Sequence, residues 1–427
     1  MLTVGLSCPS ETARKPSVRP AQEPDGIVLF FTGNELGALK PCGCSGGQLG
    51  GLSKRAAIFR GVPARRRMIL DAGALVGDDR EQDLIKFGVL FEAFRLLGYD
   101  VANLTRQDIA TARSLGLLSG SDQAFAIISA AWGPGREDRP RRFSKEFRVK
   151  GRDVVVNVVA LDAQSDPMAR ATEFFASQPG RQSVDIVILE NCDAQSRQAW
   201  ARGAGADCLV CPTDSDEPQV FSEPGAKPLI FTPGRFGRHV VRIEAGFSEA
   251  QGELVLAFED VPVDETLPED EPLEGLYRQY QILVRQGNIL EKYPRVPLPD
   301  DLRYVGSRNC ASCHEYEYSR WSSKAHADAF ATLVEVGSDY DPECVVCHVV
   351  GMDRSSGFVT ADRTPEMKNV GCENCHGPGS EHVRTWGQAV TVEPKSTCLD
   401  CHTPEHSSGY AGHEAEYLKK IVHWREP

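Results

Sequence analysis

The chain has 427 residues, a formal net charge of −13 and a pI near 5.4. Its 41% hydrophobic and 8% aromatic content supplies apolar surface for two or three globular cores, while the acidic balance argues against nucleic acid as a partner. No apolar run reaches the roughly 20 residues that span a bilayer. Residues 1–25 read as a leader or flexible tether: Met1 to Ser7 is apolar but has no basic segment before it, so it is not a complete signal peptide. Leu6-Ser7-Cys8 resembles the end of a lipoprotein signal, which makes Cys8 a candidate lipidation site and the one expected route to a membrane; a trimmed leader is the alternative.

From Gly26 onward, short apolar runs alternate with polar and glycine-rich segments. Ile27-Val28-Leu29-Phe30-Phe31 reads as a buried strand ending in Thr32-Gly33-Asn34, as strands do before a functional-face loop. The segment from Cys42-Gly43-Cys44 to Gly50-Gly51-Leu52 has the glycine density for close backbone approach, but its spacing is neither a dinucleotide fingerprint nor a P-loop. Further strands are predicted at 68–70, 101–104, 125–129, 154–160, 185–189 and 208–210. Helical patterns intervene, the clearest over 83–97, where Leu84, Phe87, Val89, Leu90, Phe91 and Phe94 make an apolar face. The alternation predicts an α/β layered domain over 26–261 with a largely parallel sheet, closed by antiparallel elements at 229–231 and 239–243, with 254–258 as a further strand.

Several of these segments together resemble the calcineurin-like metallophosphoesterases, especially the 5′-nucleotidase branch. They are Phe31-Thr32-Gly33-Asn34, Leu49-Gly50-Gly51-Leu52-Ser53-Lys54-Arg55, Leu70-Asp71-Ala72-Gly73, Leu97-Gly98-Tyr99-Asp100-Val101, Asp185-Ile186-Val187-Ile188-Leu189 and Pro233-Gly234-Arg235-Phe236-Gly237. The resemblance implies a two-metal site of Asp, His and Asn at the strand ends, where water is activated against a phosphoryl group. This chain departs from it at each ligand: Asn34-Glu35-Leu36 replaces Asp-x-His, Ala74 replaces the bridging Asp, Arg106-Gln107 replaces Asn-His, and no His lies near Pro212 to Ser215. The expectation is a pseudo-phosphoesterase, a scaffold without the hydrolytic site, with His239 as a structural residue. By the same resemblance Cys192 falls on a His-ligand position, and Cys42, Cys44, Cys208 and Cys211 lie at the same end of the sheet. Two readings stand: a thiolate metal or iron–sulfur site, or disulfides and buried unpaired thiols in an exported protein.

Residues 262–302 read as an acidic, proline-bearing linker and a helix. Leu276, Tyr277, Tyr280, Leu283, Val284, Ile289 and Leu290 recur at helical spacing until prolines at Pro294, Pro297 and Pro299 end the pattern.

Residues 303–427 carry four copies of Cys-x-x-Cys-His: Cys310/Cys313/His314, Cys344/Cys347/His348, Cys372/Cys375/His376 and Cys398/Cys401/His402. This is the attachment signature of haem c, in which two thiols add across the porphyrin vinyl groups and the adjoining His reaches the iron. Zinc ribbons use paired Cys-x-x-Cys but do not require a His after each second Cys. About thirty residues per haem is too little chain for a conventional core, so four haems c must supply most of the apolar interior of a mainly α domain. Because this attachment takes place outside the cytoplasmic membrane, the motifs imply an exported protein, periplasmic or at the cell surface. Sixth iron ligands must come from elsewhere, and the candidates are His326, His382, His406, His413 and His423, with Met352 the only nearby thioether.

The run Val370-Gly371-Cys372-Glu373-Asn374-Cys375-His376-Gly377-Pro378-Gly379-Ser380-Glu381-His382, supported by Cys398-Leu399-Asp400-Cys401-His402-Thr403-Pro404-Glu405, resembles the tetrahaem cytochrome c family of nitrifying bacteria, the electron acceptor of hydroxylamine oxidoreductase. The resemblance implies three haems with two His ligands and one without a strong sixth ligand. Carried over residue by residue it places the distal ligands at His326, His382 and His423, leaves His413 as a competitor of His423, and leaves the His348 haem five-coordinate. The expected function is electron transfer between redox protein partners rather than catalysis, with the α/β domain used for docking or assembly. The alternatives are a reductase or oxidase of a small nitrogen species at the open haem, and a subunit of an oligomer, haem filament or membrane complex.

Overall fold

The computed structural model describes the chain apart from residues 1–25, 42–45, 119–123, 133–139, 163–166, 176–181, 204, 249–252, 393, 395–397, 404–405, 408 and 426–427. Cys8, Cys42 and Cys44 lie outside the described residues.

Among the described residues, twelve strands form two six-stranded sheets. The first has the order β12-β11-β1-β2-β3-β4 and uses β1 (Ile27–Thr32), β2 (Arg67–Asp71), β3 (Val101–Asn103), β4 (Ala126–Ile128), β11 (His239–Phe247) and β12 (Leu254–Pro262). The second has the order β5-β6-β7-β8-β10-β9 and uses β5 (Arg142–Val149), β6 (Arg152–Leu161), β7 (Gln182–Leu189), β8 (Cys208–Val210), β9 (Gln219–Val220) and β10 (Leu229–Thr232). Each sheet has a parallel centre and antiparallel margins: β1 runs parallel to β2 and antiparallel to β11, and β6 runs parallel to β7 and antiparallel to β5. The expected single, largely parallel sheet is therefore two mixed sheets.

Alternation along the strands explains the stacking. Ile27, Leu29 and Phe31 of β1 face Val154, Val156, Val158, Ile186 and Phe231 across the space between the sheets, while Val28 and Phe30 face outward under helices. Both faces of β1 are thus covered, which is why its sequence is continuously apolar. Helices Leu52–Arg60, Glu81–Leu97 and Arg106–Ser114 cover the outer face of the first sheet, and Pro167–Phe175 and Ala194–Arg202 cover that of the second. The result is an α/β/β/α layered domain.

The linker pattern resolves into helices Glu271–Gln286 and Ile289–Lys292, broken where Asn288 takes a left-handed φ of 49°. Leu273, Tyr280 and Val284 bury the first of these helices against the helical layer of the first sheet. Beyond it, among the described residues, no helix exceeds eight residues, and the principal apolar cluster is small: Leu290, Phe330, Leu333, Val345, Val349, Val350, Met352, Phe358 and Met367. No helix of the described residues is long and apolar enough to cross a membrane.

Candidate haem sites

Each attachment motif folds as a helical turn. His314 N–H donates to the Cys310 carbonyl at 2.9 Å, His348 N–H to Val345 at 2.8 Å, and His402 N–H to Cys398 at 2.9 Å, while Cys372–His376 is a short helix. A turn of this pitch puts residues three and four apart on one side, which is what two thiols and one imidazole need in order to meet a single porphyrin.

The imidazoles then come together in pairs. Ring centres are 6.0 Å apart for His314 and His382, 6.3 Å for His326 and His402, and 6.3 Å for His376 and His423. With a metal–nitrogen bond of about 2 Å and about 1.2 Å from nitrogen to ring centre, a metal held between two opposed imidazoles would separate their centres by about 6.4 Å. All three pairs fit that requirement. His348 faces no second imidazole among the described residues. His413 lies at the start of helix Glu414–Ile421 with Nδ1 3.6 Å from Glu416, and His406 shares a hydrogen bond with Thr403, so neither belongs to a pair.

Hydrogen bonds on the far side of the rings fix their tautomers. Nδ1 of His348 donates to the Ala329 carbonyl at 2.6 Å, that of His382 to Ala389 at 2.8 Å, and that of His423 to Ile421 at 2.9 Å. A ring whose Nδ1 is a donor presents the lone pair of Nε2 to a metal. Burial pushes the pKa of His326, His348, His376 and His402 down, favouring the neutral form that ligates. Thiols of different motifs also lie close, Cys310 to Cys372 and Cys347 to Cys401, which brings the first motif beside the third and the second beside the fourth.

The attachment thiols differ in exposure. Cys310, Cys344, Cys347, Cys372, Cys375, Cys398 and Cys401 are half-buried, whereas Cys313 is exposed. The physical reason is its place on the rim of the domain. Its neighbours Ser312, His314 and Glu315 are exposed as well, and its sulfur lies 3.9 Å from Ser312 Oγ, while Cys310 is the thiol of this motif that meets another motif.

The carboxyl end of the first sheet is organised differently. Arg55, with no exposed surface, donates to both carboxylate oxygens of Glu35 at 2.7 and 2.8 Å and to the Tyr99 hydroxyl at 3.1 Å. Asp71 accepts from Thr32 Oγ1 at 2.6 Å and from Gly73 N–H at 2.9 Å; burial first, then the Glu35 charge, pushes its pKa up to about 8. Asn34, Leu36 and Ala74, the positions aligned with missing ligands, take left-handed φ values of 51°, 48° and 60°. Left-handed φ is costly for such residues, so these loops hold strained backbone. Among the described residues, no group of three or more His, Cys, Asp or Glu side chains could hold a metal ion.

The described non-haem thiols do not converge. Cys192 and Cys211 form a disulfide with Cα atoms 5.4 Å apart. Cys208 points into the apolar layer between the sheets, whereas Cys211, three residues on, faces the outer helices. Burial pushes the Cys208 thiol pKa up, which keeps it protonated. Of the candidate thiolate cluster, two members are therefore bonded to each other and a third is turned away. His239 bonds Asp260 through Nδ1 at 2.6 Å, within the closing strand pair.

The arrangement in the last third is that of a c-type cytochrome, and comparison with known proteins specifies the kind. Residues 309–377 match the family model for cytochrome c554 and c-prime. Cytochrome c-554 of Nitrosomonas europaea is 30% identical over 156 residues, an alignment that takes in 28% of this chain and 66% of the relative's length. The C-terminal region thus resembles cytochrome c554, a likeness that implies covalent haem c. Among solved structures, calcineurin-like phosphoesterase YfkN from Bacillus subtilis aligns with a TM-score of 0.46 and 14% identity, over 60% of this chain and 96% of that one. A 5′-nucleotidase precursor from Thermus thermophilus aligns with a TM-score of 0.46 and 17% identity, over 73% of this chain and 68% of that one. At such identities the likeness concerns fold alone.

Proposed function

We propose that the protein is an exported multihaem cytochrome that carries electrons between redox partner proteins through four covalent haems, with a non-hydrolytic α/β domain for docking or assembly. The observation that carries this reading is the set of three imidazole pairs, 6.0 to 6.3 Å apart, beside four attachment turns. Bound haem c supplies a one-electron iron couple whose potential depends on axial ligands, nearby charge and solvent. In this reading His314 with His382, His326 with His402 and His376 with His423 would hold three irons, and His348 would hold the fourth. The carbonyls of Ala329, Ala389 and Ile421 hold the rings of His348, His382 and His423 so that Nε2 points inward. The thiol contacts Cys310/Cys372 and Cys347/Cys401 favour close packing of neighbouring groups, which short-range tunnelling requires. Coulometric reduction of the whole protein should take up four electrons per chain, and the reduced protein should pass them to a soluble redox protein; uptake of three or fewer would contradict the reading.

The role assigned to the α/β domain draws on its contact with the second motif. Gln82 Nε2 donates at 2.8 Å to both Tyr280 Oη and Asp341 Oδ1, and Tyr280 Oη donates to Asp341 Oδ2 at 2.7 Å. Asp341 caps the helix Pro342–Val345 that carries Cys344, and Lys86 pairs with Glu343 on the same helix at 2.5 Å. The layered domain therefore grips the turn that attaches the second haem. The absence, among the described residues, of a group of His, Cys, Asp or Glu able to hold a metal supports a scaffold without hydrolysis; turnover of a nucleoside monophosphate with added manganese would overturn that part.

A second reading, reduction or oxidation of a small nitrogen species, rests on His348, which has no facing imidazole among the described residues. Its test is a change in the high-spin ferric spectrum on adding nitrite or hydroxylamine, followed by turnover.

A further inference from the structure

Glu373 is one of the two residues between the thiols of the third motif, a position that the attachment chemistry leaves free. An acidic side chain there would ordinarily face solvent, yet Glu373 is only 4% exposed. Among the described residues it has no ion-pair partner; its carboxylate is met by backbone amides from two other segments. Val305 N–H donates to Oε1 and Oε2 at 2.9 and 3.0 Å, Gly306 N–H to Oε2 at 2.7 Å, and Gly379 N–H to Oε1 at 2.7 Å.

Those two segments are the two sides of one predicted haem site. Val305 and Gly306 lead directly into helix Ser307–Cys310, which carries the first thiol of the first motif. Gly379 precedes helix Ser380–Arg384, which carries His382, the ring that faces His314. Further bonds lace the same segments together: Arg303 N–H donates to Ser380 Oγ at 2.9 Å, Ser380 N–H to the Arg303 carbonyl at 3.2 Å, and Cys372 N–H to Ser307 Oγ at 3.1 Å. Hydrogen bonds from backbone N–H groups to a carboxylate are charge-assisted and therefore strong, and a carboxylate can accept on both oxygens at once.

Building on the four-haem reading above, we propose that Glu373 is a positioning residue: from within the third motif it holds the distal ligand His382 against the first haem, by tying the entry to Cys310 and the turn before His382 to a single carboxylate. A glutamine in its place keeps the shape but turns one acceptor into an NH2 donor facing other donors, which breaks the clamp on one side. The ring pairs His326/His402 and His376/His423 do not depend on it.

The test uses the full-length, haem-loaded protein with the substitutions Glu373→Gln and Glu373→Asp, and Glu381→Gln as an exposed acidic control. Pyridine haemochrome counts the haems, and EPR separates near-parallel axial rings, such as His314/His382 at 25° between planes, from near-perpendicular ones, such as His376/His423 at 86°. Expected for Glu373→Gln is four haems per chain, loss of one low-spin signal of the near-parallel type, a second high-spin haem, and the near-perpendicular signal retained. Glu373→Asp, which keeps the charge but shortens the reach, should give a mixed-spin population at the same haem, and Glu381→Gln should match the parent. Retention of all three low-spin signals in either loaded Glu373 variant, even with reduced thermal stability, would overturn the proposal. A parent protein with fewer than four haems would instead overturn the reading on which it rests.

Discussion

The carboxyl end of the first sheet and the attachment region both gather charged or imidazole side chains, but they answer the polar demand in different ways. At the sheet end the chain answers itself: Arg55 meets Glu35 and Tyr99, and Asp71 meets Thr32 and Gly73. In the attachment region Nδ1 of His348, His382 and His423 bonds outward to carbonyls, and three pairs of rings stand 6.0 to 6.3 Å apart. The sheet end thus supplies its own cation, Arg55, inside a packed core, whereas the helices of the attachment region, eight residues at most among the described residues, are too short to persist alone.

The comparison breaks most visibly if the attachment region folds without haem. Expressed without haem attachment, the chain should lose protease protection from residue 303 onward while the layered domain stays intact; equal protection of both would contradict the contrast. Next in size is Arg55→Leu, which strands Glu35 and Asp71 in the interior and should cost the layered domain about 3–5 kcal/mol by urea unfolding, with the haem spectrum unchanged. Removing the Cys192–Cys211 disulfide by paired serine substitutions, which opens a loop of sequence separation 19, should cost about 3 kcal/mol, again in the layered domain alone. Smaller is Tyr280→Phe, which removes one of the bonds to Asp341 and should cost about 1–2 kcal/mol, read as faster hydrogen exchange over residues 338–345.

Asp71 sharpens the same contrast through pH. Its folded pKa is raised to about 8, above the unfolded carboxylate value. The folded state therefore binds more protons between the two, and the associated stability, complete below the ordinary carboxylate range, is lost as pH rises toward about 8. Asp71→Asn should flatten that slope in the layered domain, as measured by urea midpoints across the same range.

What could be read beforehand follows the reach of each signal. The attachment motifs and the distal candidates are legible because iron chemistry restricts the residue types, and continuous runs such as Ile27–Thr32 are legible because burial on both faces leaves no polar position. Strand Arg142–Val149 is hidden, since Arg142, Lys145, Glu146 and Arg148 make an edge strand read like a loop. The division into two sheets depends on pairing partners that no local pattern names. The Arg55–Glu35 pair joins residues 20 apart in the chain, so no local pattern names it and only its 2.7 Å contact shows one residue answering the other. Among the thiols, alternation along Cys208-Leu209-Val210-Cys211 places the first and last on opposite sides of a strand, a constraint that argues against a single cluster.

The central claim is that the attachment region holds four covalent haems, three between paired imidazoles and one on His348 alone. EPR of the oxidised full-length protein, quantified against its pyridine haemochrome, tests it most directly. The account predicts four haems per chain, three low-spin and one high-spin, with at least one low-spin signal of the perpendicular-ring type from His376 and His423; fewer haems, or four equivalent low-spin signals, would contradict it.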